Sequence, residues 1–365
     1  MRIAFLTSLF MPFLGGAEIF LHHLVKDMAG RGHHVAVIAP GSRKHRNAFE
    51  MTYPYVRAPR ARSKRYMVGN ALPSLLFAHL LHKFDLVHCQ GEYHEATAAY
   101  YFKKITGVPY VCRPVGGGFT NIENYPKLQK KLYKSLDNAA LMIAQCNFLR
   151  NRIQNYGIPD TKIVTINNGV RIDEVRHRKL QEPRVLPPYL LYAGGLKSVK
   201  GYDIAVKAFS RIANRYPELK LVVIGLGQKK QDFDALIDQL GFNERIKYLH
   251  YCDRDATMAL FCHAEIYLCP FRRSPFSNAN LEALAAGIPI IATAVEGNLE
   301  QIRDGVEGFL IPPDDADAMA MKIERILDDP DLHNRLSTNA RKKSHQFKWK
   351  RMVDKYENCY KSVLK

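Results

Sequence analysis

Short apolar runs alternate with longer amphipathic stretches along most of the chain. The alternation breaks once and then begins again. "RIAFLT", "HVAVIAP", "FDLVHCQ", "VPYVCRPV", "ALMIAQC" and "KIVTINNG" read as strands, and "GGAEIFLHHLVKDMAGRG", closed by glycine, reads as a helix. Runs that lack a regular polar face belong to strands covered on both sides. Helices inserted between such strands force them parallel. The charged, proline-containing "RIDEVRHRKLQEPRVLPP" stops the pattern, and "YLLYAGGL", "DIAVKAFSRIANRY", "LKLVVIGLG" and "IPIIAT" restart it. The expectation is an α/β protein of two doubly wound domains facing a cleft, with ligands at the carboxyl ends of the strands. The boundaries follow as a first domain over 1–170, a linker over 171–188, a second domain over 189–345 and a final amphipathic helix over 346–365.

A length of 365 residues suits two domains. No run of about 18 uncharged apolar residues occurs, so no spanning helix is expected, and "MRIAFLTSLF" reads as a first strand rather than a signal peptide. The seven cysteines form no C-x-x-C pair, which suits reduced thiols in a cytoplasm. The net charge is +18 and it is unevenly placed. Residues 1–180 carry 26 Lys/Arg against 11 Asp/Glu, whereas residues 181–365 carry 27 against 24. A basic first half points to an anionic partner: a membrane surface or a phosphorylated substrate. Nucleic acid is disfavoured, because no nucleic-acid module accompanies the charge.

Three stretches carry chemistry. Gly15 and Gly16 open the first helix, where free N–H groups and close backbone approach suit an anionic group. A G-x-G-x-x-G fingerprint is absent and no acidic residue ends the second strand, which disfavours a nicotinamide dinucleotide. Lys200 follows the Gly194-Gly195 turn and is placed to neutralise phosphate. In "SPFSNANLEALAAGIPIIAT", Ser277, Asn278 and Asn280 offer caps at a helix start, and Glu282 can accept two hydrogen bonds from a diol such as ribose. The acidic "PPDDADA" reads as the cap of a late helix rather than a metal site.

These motifs, in this order, resemble the retaining glycosyltransferases of family 4, which have the GT-B fold of two Rossmann-like domains. "GGAE", "RGHHVAVIAP", "INNGV", "LYAGGLKSVKGYDIAVKAF", "LVVIGLG", "LEALAAGIPIIAT" and "EGFLIPPDDADAMAMKIERIL" carry the likeness over nearly the whole chain. The resemblance implies a nucleotide-sugar donor in the second domain and an acceptor in the first. It implies that Gly16 approaches the donor, Lys200 neutralises its diphosphate, Ser277, Asn278 and Ala279 assist through backbone amides, and Glu282 holds the ribose. It also implies that the final helix, around Trp349, crosses back onto the first domain, and that no metal is obligatory.

Three positions depart from the family's pattern. Ser274 stands where the family has a first Glu, Gly195 stands where it has an Arg, and no His occurs near Val115, where "RPVGGGF" is found. Arg113, Arg272 and Arg273 are candidates to replace the lost positive charge, Arg113 as a catalytic residue beside Lys200. The resulting expectation is a retaining glycosyltransferase using a UDP- or GDP-sugar. It would act on a glycan or lipid-linked acceptor in cell-surface polysaccharide or lipopolysaccharide biosynthesis. Two alternatives are a non-catalytic GT-B protein that binds glycan or supports a partner enzyme, and a sugar-nucleotide epimerase. The cluster Arg60, Arg62, Lys64 and Arg65, before an apolar stretch expected to pack internally, suggests peripheral attachment of a cytoplasmic protein to the inner face of the cell membrane.

Overall fold

The structure is a computed structural model that describes residues 1–10, 15–40, 53–58, 64–115, 126–227, 229–250 and 252–365. The chain forms two compact units, Met1–Asn167 with Met352–Lys365, and Asn168–Arg351.

The N-terminal unit contains β1 (Arg2–Thr7), α1 (Gly16–Gly30), β2 (His34–Pro40), β3 (Tyr55–Ala58), α2 (Lys64–His82), β4 (Leu86–Gln90), α3 (His94–Thr106) and β5 (Tyr110–Arg113). Then come α4 (Pro126–Asp137), β6 (Leu141–Ala144), α5 (Asn147–Asn155) and β7 (Ile163–Thr165). All the strand pairs are parallel, in the order β3-β2-β1-β4-β5-β6-β7. Ile3 to Leu6 are buried on both faces of β1, as a strand covered by helices on both sides must be. The order reverses direction between β1 and β4, which makes their carboxyl ends a ligand-accepting edge.

The C-terminal unit opens with α6 (Ile172–His177), inside the stretch read as a linker. Ile172 and Val175 are buried in this unit's core, so much of that stretch is packed structure rather than a tether. The sequence signal misleads because its charges lie on one side of a short helix whose two apolar residues face inward. The unit continues with β8 (Tyr189–Ala193), α7 (Tyr202–Ile212), β9 (Lys220–Ile224), α8 (Lys230–Leu240), β10 (Ile246–Leu249), α9 (Arg254–His263) and β11 (Ile266–Cys269). It closes with α10 (Asn278–Ala286), β12 (Ile290–Thr293), α11 (Asn298–Gln301), β13 (Gly308–Ile311), α12 (Ala316–Leu327) and α13 (Pro330–Ser344). Its parallel sheet runs β10-β9-β8-β11-β12-β13, with the reversal between β8 and β11.

The last helix, α14 (Trp349–Val363), begins in the C-terminal unit, and from Met352 onward it belongs to the N-terminal one. Met352, Val353, Tyr356, Cys359 and Tyr360 form its buried stripe at helical spacing. The Tyr360 hydroxyl lies 2.9 Å from His88 Nδ1, and Arg31 pairs with Asp354 and Glu357, each at 2.6 Å. Burial pushes the His88 imidazole down to about 3, so it stands neutral at physiological pH.

Helix α2 corrects one expectation. Leu75, Ala78 and Phe84 are buried, but Phe77, Leu80 and Leu81 are 59%, 67% and 63% exposed. The stretch therefore packs with one face and presents an apolar face outward. Arg60 and Arg62 lie outside the described residues, and only the backbone of Lys64 and Arg65 is described, in the first turn of α2. No helix among the described residues is long and apolar enough to cross a membrane.

Candidate functional site

At the reversal point of the C-terminal sheet, the segments following β8, β11 and β12 come together. The turn after β8 runs through Gly194 and Gly195 to a short 3-10 turn, Ser198–Lys200. A side chain at Gly195 would bring its Cβ to 2.8 Å from the Leu226 carbonyl oxygen. The departure from arginine there is thus enforced by the neighbouring backbone. The Lys200 carbonyl accepts a hydrogen bond from the Tyr192 hydroxyl at 3.1 Å. Its ammonium sits 4.0 Å from the centre of the Phe271 ring and makes no ion pair among the described residues. Burial lowers its pKa from the usual lysine value. Lys197 acts in the same direction, and Cys269 and Glu296 oppose the shift. A partly desolvated cation held on an aromatic face favours an incoming anion.

Arg272 holds this turn in place. Its N–H donates to the Val199 carbonyl at 3.0 Å, and its guanidinium donates to both Asp203 oxygens at 2.9 and 2.8 Å, to Asp314 and to the Ser198 carbonyl. Arg272 is thus committed to carboxylates of its own chain, and its positive charge is already balanced. Asp315 caps α12 through the Ala318 N–H at 2.7 Å, the capping role read from "PPDDADA".

The start of α10 is built by buried amides. Ser277 caps it by accepting from the Asn280 N–H at 3.3 Å. The Ser277 N–H donates to Gln301 Oε1 at 3.2 Å, and the Gln301 amide donates back to the Ser277 carbonyl at 2.8 Å. The Asn280 amide reaches Asn298 and Gln301 at 3.0 and 2.9 Å, and the Asn298 amide donates to the Thr293 carbonyl at 3.0 Å. These bonds tie the loop after β12 to the start of α10, and Asn280 Oδ1 is the one buried atom of the network without a partner among the described residues. The Asn278 side chain accepts from Asn168, of the "INNGV" stretch, at 2.7 Å. Ala279 follows in the same first turn, half-buried. Glu282, one turn further on, is mostly covered and lies 3.4 Å from Arg254. Burial raises its pKa, and Arg254 opposes the shift.

Ser274 is buried, and its carbonyl accepts the Gly297 N–H at 3.0 Å. A Cβ on Gly297 would run into the Pro275 carbonyl, so glycine is required for the two loops to meet. Beside it stands Glu296, whose φ is +42°. Arg273 donates to Glu296 Oε1 at 3.3 Å, and Oε2 is buried with no hydrogen-bond partner among the described residues. Lys200, Ser274, Ser277, Asn278, Ala279 and Glu282 all lie within the C-terminal unit, on the segments that follow β8 and β11. Sequence reasoning missed Glu296, Asn298, Gln301 and Arg254.

Gly16 and Arg113 belong to the N-terminal unit. Gly16 starts α1 and is exposed. Arg113 ends β5 and is buried, its guanidinium 4.1 Å from the centre of the Phe20 ring. It is a cation packed into the interior near Tyr356, whose hydroxyl it influences. At the same strand ends Glu92 accepts the Val115 N–H at 3.1 Å and Glu95 accepts the Ser8 N–H at 2.7 Å. Burial pushes the Glu95 carboxyl up to about 7, with Glu92 adding to the shift.

Two family models divide the chain between them: the group 1 glycosyl transferases over residues 173–343, and glycosyltransferase family 4 over residues 14–174. The N-acetyl-alpha-D-glucosaminyl L-malate synthase of Bacillus anthracis is 25% identical, covering 97% of this chain and 96% of its own. The sucrose-phosphate synthase structure from Thermosynechococcus elongatus superposes with a TM-score of 0.85 at 18% identity, covering 100% and 99% of the two chains. Anabaena HepE, solved with UDP-glucose, superposes at 0.83 and 18% identity, covering 99% and 100%. With the doubly wound sheets, the capped α10 and both family models in agreement, the chain belongs to the family 4 glycosyltransferases and is a glycosyltransferase enzyme of the GT-B fold.

Proposed function

We propose that the enzyme transfers a sugar, with retention of configuration, from a UDP- or GDP-sugar to a glycan or lipid-linked acceptor in cell-surface polysaccharide or lipopolysaccharide biosynthesis. The observation that carries the donor reading is the Lys200 ammonium, without an ion-pair partner among the described residues and stacked on Phe271, at the strand ends that also hold the start of α10. The departing diphosphate gains negative charge as the glycosidic bond breaks. A desolvated cation and a helix start, fixed in advance, stabilise that charge more than they stabilise the ground state. Glu282 accepts hydrogen bonds from the ribose diol, which fixes the nucleotide relative to Lys200. Charge neutralisation then falls to Lys200, and the reading needs no metal. Among relatives, HepE was solved with UDP-glucose, which supports a nucleotide-sugar donor.

The anionic partner of the first half rests on the charge distribution, with 26 Lys/Arg against 11 Asp/Glu over residues 1–180. The exposed Phe77, Leu80 and Leu81 of α2, preceded by the basic stretch through Arg60 and Arg62, support contact with a bilayer carrying a lipid-linked acceptor. On this reading the working enzyme sits in the cytoplasm, peripheral to the inner leaflet. The relatives are transferases, which favours transfer over the binding-only and epimerase readings. The test is a panel of nucleotide-sugars assayed by thermal shift and by donor hydrolysis. Stabilisation and slow hydrolysis with one UDP- or GDP-sugar is the expected result, and indifference to all of them rejects the donor reading.

A further inference from the structure

Glu296 combines features that a purely structural residue has little reason to combine. It occupies the left-handed region, at φ +42°, which side-chain-bearing residues rarely adopt. Its side chain is only 11% exposed. One carboxylate oxygen is held by Arg273 at 3.3 Å, and the other is buried with no partner among the described residues. A buried carboxylate oxygen without a donor is costly, and it is tolerated where a ligand completes it. The loop bearing it is pinned: the Gly297 N–H donates to the Ser274 carbonyl, and Gly297 lies against the Pro275 carbonyl. The field of Glu296 also reaches the Lys200 ammonium. The carboxylate therefore stands beside Ser274, a position that itself brings only a hydroxyl.

We propose that Glu296 is a contact for the transferred sugar, its second carboxylate oxygen accepting hydrogen bonds from that sugar's hydroxyl groups. Strand β12 thus supplies, from the next loop, the carboxylate that Ser274 does not bring. The assignment rests on the donor site proposed above and deepens it, because it separates recognition of the sugar from recognition of the nucleotide. Arg273 fixes the carboxylate rotamer, and Lys200 faces the diphosphate.

The test compares nucleoside diphosphate with nucleotide-sugar. Binding of UDP and GDP is measured by calorimetry, beside UDP-glucose, UDP-galactose, UDP-N-acetylglucosamine and GDP-mannose, and the tightest sugar donor is carried forward. In Glu296→Gly the left-handed backbone is relieved, so the thermal midpoint should hold or rise. Its affinity for the diphosphate should stay within about twofold, while the added affinity conferred by the sugar should fall about tenfold. Glu296→Gln keeps one acceptor and should lose less. An unchanged sugar increment in Glu296→Gly overturns the proposal, as does a loss of diphosphate affinity in step with the sugar, which would mean that Glu296 only holds Arg273. If wild-type protein binds neither UDP nor GDP, the donor site itself is wrong and this assignment falls with it.

Discussion

Lys200 and Glu282 lie in one site but are asked to do different work. Lys200 meets charge that grows during the reaction, so Lys200→Ala should lower kcat by about 100-fold or more, with a smaller change in donor KM. Glu282→Ala removes acceptors from the nucleotide and should weaken donor binding by about 1.5–3 kcal/mol, read as a rise in Kd. Equal effects on both parameters in both variants would contradict this division. Glu95 makes a separate residue-scale prediction. Its carboxyl sits at about 7 in the folded protein, against 4.5 ordinarily, so the folded state holds an extra proton between those values. The stability it contributes is complete below about pH 4.5 and is lost as pH rises through 7. Glu95→Gln should therefore flatten the fall in thermal midpoint between pH 5 and pH 8, with a difference from wild type on the order of 3 kcal/mol. Parallel pH profiles for the two proteins would refute it.

At the scale of elements, α14 is anchored by a buried polar contact as well as by its apolar stripe. Tyr360→Phe leaves His88 Nδ1 without its partner and should cost about 1–3 kcal/mol in chemical unfolding. Helix α2 bears on membrane contact. Vesicles with anionic lipid should bind the protein in a salt-sensitive way. Replacing Arg60, Arg62, Lys64 and Arg65 together should abolish the preference without changing nucleotide binding, and Phe77→Ser with Leu80→Ser should weaken it. Equal binding to neutral and anionic vesicles would count against the reading. These elements also show what could be read in advance. Strands such as β1 and β12 were legible because continuous apolar runs have one physical explanation, burial on both faces. The cap at Ser277 was legible because capping is local. The exposed face of α2 was not legible, because an apolar run does not say which side finds a partner. Glu296, Asn298 and Gln301 were hidden because their meaning lies in contacts with Arg273, Ser277 and Asn280, about twenty residues away along the chain. Arg113 reads from the sequence as a replacement for lost positive charge, whereas its packing on Phe20 and beside Tyr356, from distant parts of the chain, could not be read there.

For the whole molecule, the donor reading confines nucleotide binding to one unit. Saturating UDP or GDP should slow amide hydrogen exchange around Leu196–Gly201 and Ser274–Gln301 and leave the strands of the N-terminal unit unaffected. At 100 times Kd the nucleotide should add about 2.7 kcal/mol to the stability of the unit that binds it. The chain itself passes between the units twice, because Met352–Lys365 completes the unit that Met1 began. That connectivity sets an order of events on the ribosome. At about 5–20 residues per second, the stretch from Asn168 to Arg351 takes about 10–40 s to emerge. For that interval the nascent N-terminal unit exposes the apolar surface around Phe5, Phe20 and His88 that Tyr356 and Tyr360 later cover. The half of the enzyme made first is the half finished last, and until Met352–Lys365 has emerged it stands open to chaperones.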